Sequence, residues 1–533
     1  MTERVPEPRR RVTEEMRDPD TPPTVEIEAS ARKPEDDPLL DVEVEPDRAG
    51  PARHRLVTIG DSLTHGFQSG AIFNTDLSYP AIIAYELGWY EQFRRPSYPG
   101  FGGLPVNIEF LLRDLQARYG DSLNPFEVPL ALFRARQFMA DLEDYYERGA
   151  GSRPPNVAGI NHNLAVYGWD LRDTLDRTAR TCAEAIGQPK DNWLNQQIEN
   201  ANERAALQVL PSATDELRDL TPLGAARRLG EDGGIETLIV LLGSNNALGA
   251  VTDLRVEWSE PGYDTLDGKR PFTVWRPEHF QVEFDRVAEQ IRQIQARHVI
   301  WGTVPHVTIA PIARGVGDKV EPGSRYFPYY TRPWINDPQF NPSQDPKITS
   351  QEARAIDSAI DQYNQHITAR VEQARQDGLD WYLFDLAGVL DRLAYRRYIE
   401  DPNAQPTWWR PYELPAVLAA LDPIPDSRFL AWEGGGNRIR GGLFSLDGVH
   451  ATTIGYGIIA QELITIMRRA GVTFHQADGR TPRADPVTVD FQRLLRRDTL
   501  LAAPLPLVGS GLEILGWADE ALDLVKRTLS FGT

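Results

Sequence analysis

The chain has 533 residues, 41% hydrophobic and 25% charged, with 57 basic against 77 acidic side chains and a net charge of −20. That length sustains a sizeable core without metals or disulfides, and that charge argues against non-specific binding to nucleic acid or anionic lipid, which needs a basic face. Cys182 is the single cysteine, so an intrachain disulfide and a cysteine-rich zinc site are both excluded.

Residues 1–50 hold fifteen acids, eight bases, eight prolines and no aromatic residue. Such a composition offers too little apolar area to offset the entropy of ordering, so a disordered acidic tail is predicted. No apolar run follows the early basic residues, so no secretory signal is read and a cytoplasmic location is expected. At Arg55 the texture changes. RLVTIG (55–60) is a short β-branched run closed by glycine and reads as a buried strand. Similar runs recur at 156–166, 236–243, 297–305 and 379–386. Helical spacing lies between them. Phe280, Phe284, Val287, Ile291 and Ile294 share one face behind Pro277, and 351–377 follow Thr349 and Glu352, a capping-box pattern. Strands alternating with helices predict an α/β fold, a five-stranded parallel sheet covered on both faces in three α/β/α layers.

The surplus residues fall at 67–155, 249–276, 311–347 and 395–443, as insertions in a unit spanning about 51–480. Insertions 67–155 and 311–347 leave the carboxyl edge of the sheet, so they are expected to form a partial cap over a site there. The aromatics of 326–334 and 408–412 suit either an acyl or sugar lining or a rigid packed excursion. A C-terminal extension, 481–533, is apolar around Leu494–Leu501 and amphipathic from Leu512 to Leu529. It is expected to dock on the protein's own surface, with peripheral membrane contact as the alternative. Its uncharged stretch Thr499–Leu512 is 14 residues long and broken by prolines and glycines, too short to span a bilayer.

The sharpest local signal is Gly60-Asp61-Ser62-Leu63, directly after the first strand. A serine there stands where parallel sheets place their ligands, beside the N–H groups of a helix start. Alone, Asp-Ser at such a turn is equally a helix cap. Three further segments follow in order: Asn163-Leu164-Ala165-Val166-Tyr167-Gly168, then Gly243-Ser244-Asn245-Asn246 after a strand, then Asp447-Gly448-Val449-His450 late in the chain. Together these four blocks resemble the GDSL, or SGNH, hydrolases. The resemblance implies a flavodoxin-like scaffold and a serine esterase or lipase without metal or organic cofactor, acting on a carboxylic, lipid or acetyl ester. It assigns Ser62 as nucleophile, His450 as base and Asp447 as its partner. The oxyanion hole would be the N–H groups of Ser62 and Gly168 and the amide of Asn245. Asn246 departs from the family, which usually has aspartate there.

The residue types suit that chemistry on their own terms. A serine hydroxyl needs a base, histidine serves near neutral pH, and a carboxylate holds the imidazole in the right tautomer. Acyl transfer also needs donors aimed at the developing oxyanion. A small-molecule or lipid ester is the expected partner. The alternatives are a non-catalytic binding protein on the same fold and an acyltransferase to a sugar or alcohol. His65 is expected to line the pocket or face solvent, and His306 to be structural or at the pocket rim. Arg438 and Arg440, in the glycine-rich stretch 433–442, are read as part of a mobile loop in preference to an anion cradle.

Overall fold

The structure is a computed structural model that describes residues 11–45, 52–98, 100–153, 157, 159–188, 198–433 and 436–508. Its centre is a parallel sheet of four strands: β1 (His54–Gly60), β2 (Ile235–Leu241), β3 (Ala296–Gly302) and β4 (Trp381–Phe384), in that spatial order. Register runs Leu56 to Thr237, Ile239 to Ile300 and Tyr382 to Ile300. Successive side chains alternate between faces. Val57, Ile59, Leu238, Val240, Val299 and Trp301 enter one apolar cluster, while Leu56, Ile239, Leu241, Ile300, Tyr382 and Phe384 enter another. Both faces are therefore covered, which explains strands that carry apolar side chains on both faces.

The first cluster is closed by α5 (Pro277–Arg292) and α6 (Ser350–Gln376), and the second by α2 (Tyr79–Glu86) and α8 (Thr453–Arg469). Pro277 starts α5, and the Thr349–Glu352 capping box starts α6. Between these lie α1 (Ser62–His65), α3 (Pro222–Glu231), α4 (Asn245–Thr252) and α7 (Leu386–Leu393). Each of α1, α4 and α7 leaves the carboxyl end of a strand within a few residues, so their first turns surround one edge of the sheet.

The expected fifth strand, 156–166, is not a regular strand among the described residues. It runs beside β1 with one bridge, Thr58 to Asn163, and three backbone hydrogen bonds: Thr58 N–H on His162 O (2.8 Å), Leu164 N–H on Thr58 O (2.9 Å) and Val166 N–H on Gly60 O (3.3 Å). Side-chain amides accompany the irregularity. Asn161 donates to Val209 O and Asn163 to Thr64 O, so side chains of this segment bind the backbone of two neighbouring helices.

The N-terminal tail is also a correction, for residues 11–45. Instead of hanging free, this stretch runs along α6 and the exposed edge of β4. Leu383 N–H donates to Pro38 O, Arg375 Nε to Val42 O, and Glu28 N–H to Ser358 Oγ. Val25, Ile27 and Leu39 are buried. Backbone groups of the scaffold, uncounted in a compositional estimate, hold it down. Of the C-terminal extension, residues up to 508 pack on the protein's own surface, with Phe491, Leu494, Leu500 and Leu505 buried; the Leu512–Leu529 stretch lies outside the described residues.

Candidate active site

Ser62 is the first residue of α1 and follows a sharp exit from β1. A side chain at Gly60 would meet Thr64 Oγ1 at 2.1 Å and Leu241 O at 2.7 Å, so only glycine lets the strand end that close to its own helix. Asp61 caps α1 by accepting the N–H of Leu63 at 3.0 Å. Burial pushes the Asp61 carboxyl up to about 6, against the opposing hydrogen bond and the nearby His450. The N–H of Ser62, in the first turn, has no intrahelical carbonyl to reach.

Although 388 residues separate them, Ser62 Oγ and His450 Nε2 are 2.8 Å apart. His450 Nδ1 lies 3.1 Å from Asp447 Oδ2. A carboxylate can only accept, so Nδ1 carries the proton and Nε2 turns a lone pair toward the serine hydroxyl. Burial would raise the pKa of Asp447. The facing imidazole and the N–H groups of His450 and Val449, both 2.8 Å from Oδ1, outweigh it and hold the carboxyl below its ordinary value. Gly70 N–H adds a bond to Oδ2 at 3.0 Å, and the Phe67 ring lies 4.5 Å from that of His450. Phe67 and Gly70 were not singled out in the sequence. They follow the first block within eight residues, but nothing local says that the chain there folds back onto Asp447.

Gly168 and Asn245 are neighbours. Asn245 Nδ2 donates to Trp169 O at 2.8 Å, and its second N–H is unspent among the described residues. Gly168 has φ 80, a left-handed conformation that suits glycine, and its N–H makes no hydrogen bond among the described residues. Val166 N–H bonds Gly60 O at 3.3 Å, which sets this turn beside the start of α1. Asn246 is buried with neither amide atom partnered.

Two side chains whose roles the sequence did not reveal build the second block. Asn163 is fully buried and stitches Thr58, Thr64 and Ala165 together. His65 neither lines the cavity nor faces solvent. It is fully buried, accepts Tyr167 N–H at Nδ1 (3.1 Å), and so donates from Nε2 to Tyr98 Oη (2.7 Å), which in turn donates to Ala205 O. Burial pulls the His65 pKa down to about 3, leaving a neutral ring that anchors the residue before Gly168.

A cavity of about 120 Å³ opens on Ser62 and His450. Its walls are mostly apolar: Leu386, Val389, Leu390 and Leu393 of α7, Ile458 and Ile459 of α8, and Leu443, Phe444 and Val449. His306 is part of this wall and is ion-paired through Nε2 with Asp361 at 2.9 Å. The expected cap is not what surrounds it. Tyr326, Phe327 and Tyr330 are buried in the core cluster and line no part of this cavity; nor do residues 67–155. Tyr326 is held on α6, its hydroxyl donating to Asp357 Oδ2 at 3.1 Å, while Phe327 packs edge-on against Tyr330. Arg438–Arg440 form a strand paired with Ala431–Trp432, so they belong to a short ribbon and not to a loose loop.

Among the described residues, no group of three His, Cys, Asp or Glu side chains is placed to hold a metal ion, and no helix is long and apolar enough to cross a membrane. Compared with protein-family models, curated proteins and solved structures, the chain gives no match.

Proposed function

We propose that the protein is a serine ester hydrolase of the GDSL, or SGNH, type on a flavodoxin-like scaffold. The observation that carries this reading is the chain of contacts from Asp447 through His450 to Ser62 at the carboxyl edge of a parallel sheet. The placement of segment 162–166 beside β1, followed by β2, β3 and β4, supports the scaffold. In the proposed reaction Ser62 Oγ attacks the ester carbonyl while His450 Nε2 takes its proton, and Asp447 stabilises the resulting imidazolium. The tetrahedral oxyanion is held by the N–H groups of Ser62 and Gly168 and the free N–H of Asn245. His450 then returns the proton to the departing alcohol, and water resolves the acyl-enzyme by the same route. The apolar cavity takes the acyl chain. For scale, a cavity of ~150 Å³ accommodates benzene, so the fit is to a chain of about four to six carbons.

The test is labelling of the full chain with a fluorophosphonate, together with turnover of p-nitrophenyl butyrate. One label per chain, absent in Ser62→Ala, and turnover lost in the same variant are expected. A wild-type chain that takes no label and turns over no ester would leave a binding protein as the better account.

A further inference from the structure

A second cavity, of about 280 Å³, lies against the catalytic wall. The short turn 307–310 serves both: Val307 and Ala310 line the acyl cavity, Thr308 and Ile309 the second one. Six arginines line the second cavity, Arg314, Arg325, Arg396, Arg397, Arg428 and Arg440, against one carboxylate, Glu400.

Most of these guanidiniums have a counter-ion behind them. Arg314 pairs with Asp337, Arg397 with Asp357 at 2.8 Å, Arg428 with Asp426 at 2.7 Å, and Arg396 more loosely with Glu400 at 3.7 Å. Arg325 and Arg440 have no carboxylate within ion-pair distance among the described residues. Counting Asp391, 3.9 Å from Arg397, six cations face five carboxylates, a local positive excess in a chain that carries −20 overall. Arg325 is 7% exposed, and its Nη1 is buried without any acceptor. Nε of Arg314 is in the same state. Unspent buried guanidinium donors are costly unless something accepts from them.

The geometry is also rigid. Arg396 stacks on Phe327 at 4.5 Å and Arg428 on Tyr395 at 3.9 Å, so two of the planar forks are fixed before any ligand arrives. Arg440 is solvent-exposed on its short strand; partial desolvation, and after it the charge of Arg428, lowers its pKa.

We propose that this cavity is a binding site for a doubly charged oxyanion of the phosphate type, held by guanidinium forks. Guanidiniums match tetrahedral oxyanions bidentately, and no lysine lines the site. The negative charge of the anion offsets the local positive excess. Anion binding itself is independent of the serine chemistry; only its assignment to an ester's alcohol half rests on the proposed hydrolase reading. Its phosphate has two sources: a group on the alcohol half of an ester, or free phosphate.

The experiment titrates the full chain with inorganic phosphate and with glycerol 3-phosphate, against sodium chloride of equal ionic strength. Melting temperature and calorimetric binding are followed. A saturable rise in melting temperature beyond the chloride control is expected, with affinity weakened about tenfold or more in Arg440→Gln. Arg396→Gln is the second variant, and each must melt without ligand near the wild-type temperature to be scored. Phosphate that competes with a phosphate-bearing ester for turnover assigns the site to the substrate's alcohol half. Phosphate that binds without affecting that turnover assigns it to the free anion. The proposal is overturned if neither compound stabilises beyond chloride, or if both folded variants bind phosphate as the wild type does.

Discussion

Asn245 divides its amide between structure and chemistry. One N–H holds Trp169 O, and the other is the proposed third donor to the oxyanion. Asn245→Ala should therefore lower kcat by about 10²–10³-fold, the usual loss for one such donor, while one surface-side hydrogen bond costs only about 1 kcal/mol of stability. Steady-state kinetics and a melting curve on the same preparation check the split; wild-type kcat would remove Asn245 from the reaction. His65 makes a different prediction, about pH. Its folded-state pKa of about 3 is far below the ordinary 6.5, so below pH 6.5 the unfolded chain binds a proton that the folded one refuses. Stability from this group is full above pH 6.5 and is lost as pH falls, by up to about 1.4 kcal/mol per pH unit. His65→Gln should destabilise the protein at pH 7.5, and the gap to wild type should narrow steadily between pH 6.5 and 5. Urea unfolding at a series of pH values measures it, and a gap independent of pH would mean that His65 titrates alike in the folded and unfolded chain.

At the scale of elements, the two terminal segments act as ties. The strap 25–42 covers the open edge of β4, where an unpaired strand would otherwise invite association with another chain. Its Arg32 reaches Asp385, the cap of α7, at 2.7 Å, and Glu35 N–H reaches the same carboxylate at 2.7 Å. Since α7 lines much of the cavity beside Ser62, the strap is tied to the start of one of its walls. Removing residues 1–50 exposes Val25, Ile27 and Leu39 contacts, each worth roughly 1.5–3 kcal/mol on full burial. The truncated chain should melt several degrees lower and associate more readily, as scattering and melting curves would show; an unchanged melting temperature would make the strap ornamental. At the other end Asp498 is fully buried and accepts the N–H groups of Ile454, Leu500 and Leu501. Asp498→Ala strands three donors and should cost about 1–3 kcal/mol in chemical unfolding.

For the whole molecule, the cavity proposed for the acyl chain is formed where α7, α8 and the 443–451 loop meet over Ser62. Val389 faces this space from α7. Val389→Phe should fill part of the cavity and move the preferred p-nitrophenyl ester toward acetate, with kcat/KM for butyrate falling more than that for acetate. An unchanged chain-length profile would place the acyl group elsewhere. The same assembly sets the arginine-lined cavity against the back of the catalytic wall, so two chemically opposite compartments share the 307–310 turn.

Strand and helix types along most of the scaffold were legible in sequence because both report through local periodicity: 236–243 and 297–305 are apolar runs, and Pro277 and Thr349–Glu352 mark helix starts by contacts within one turn. Ser62, Asp447 and His450, which meet in one chain of contacts, and Gly168 and Asn245, joined through Trp169, were also nameable, since each sits in a short block whose strand-end or turn context is local. What the chain alone did not disclose depends on partners hundreds of residues away. The acidic, proline-rich strap is held by backbone donors of Leu383 and side chains of α6, which no composition counts. His65 reads as a polar residue near a pocket until Tyr98 and Tyr167 enclose it. The aromatics of 326–334 look equally suited to a cap or a core, and only the position of α6 chooses between them. Local spacing determines which way a side chain leaves its own element; what it then meets, and hence whether it is charged, buried or free to react, is decided by elements that only the tertiary fold brings together.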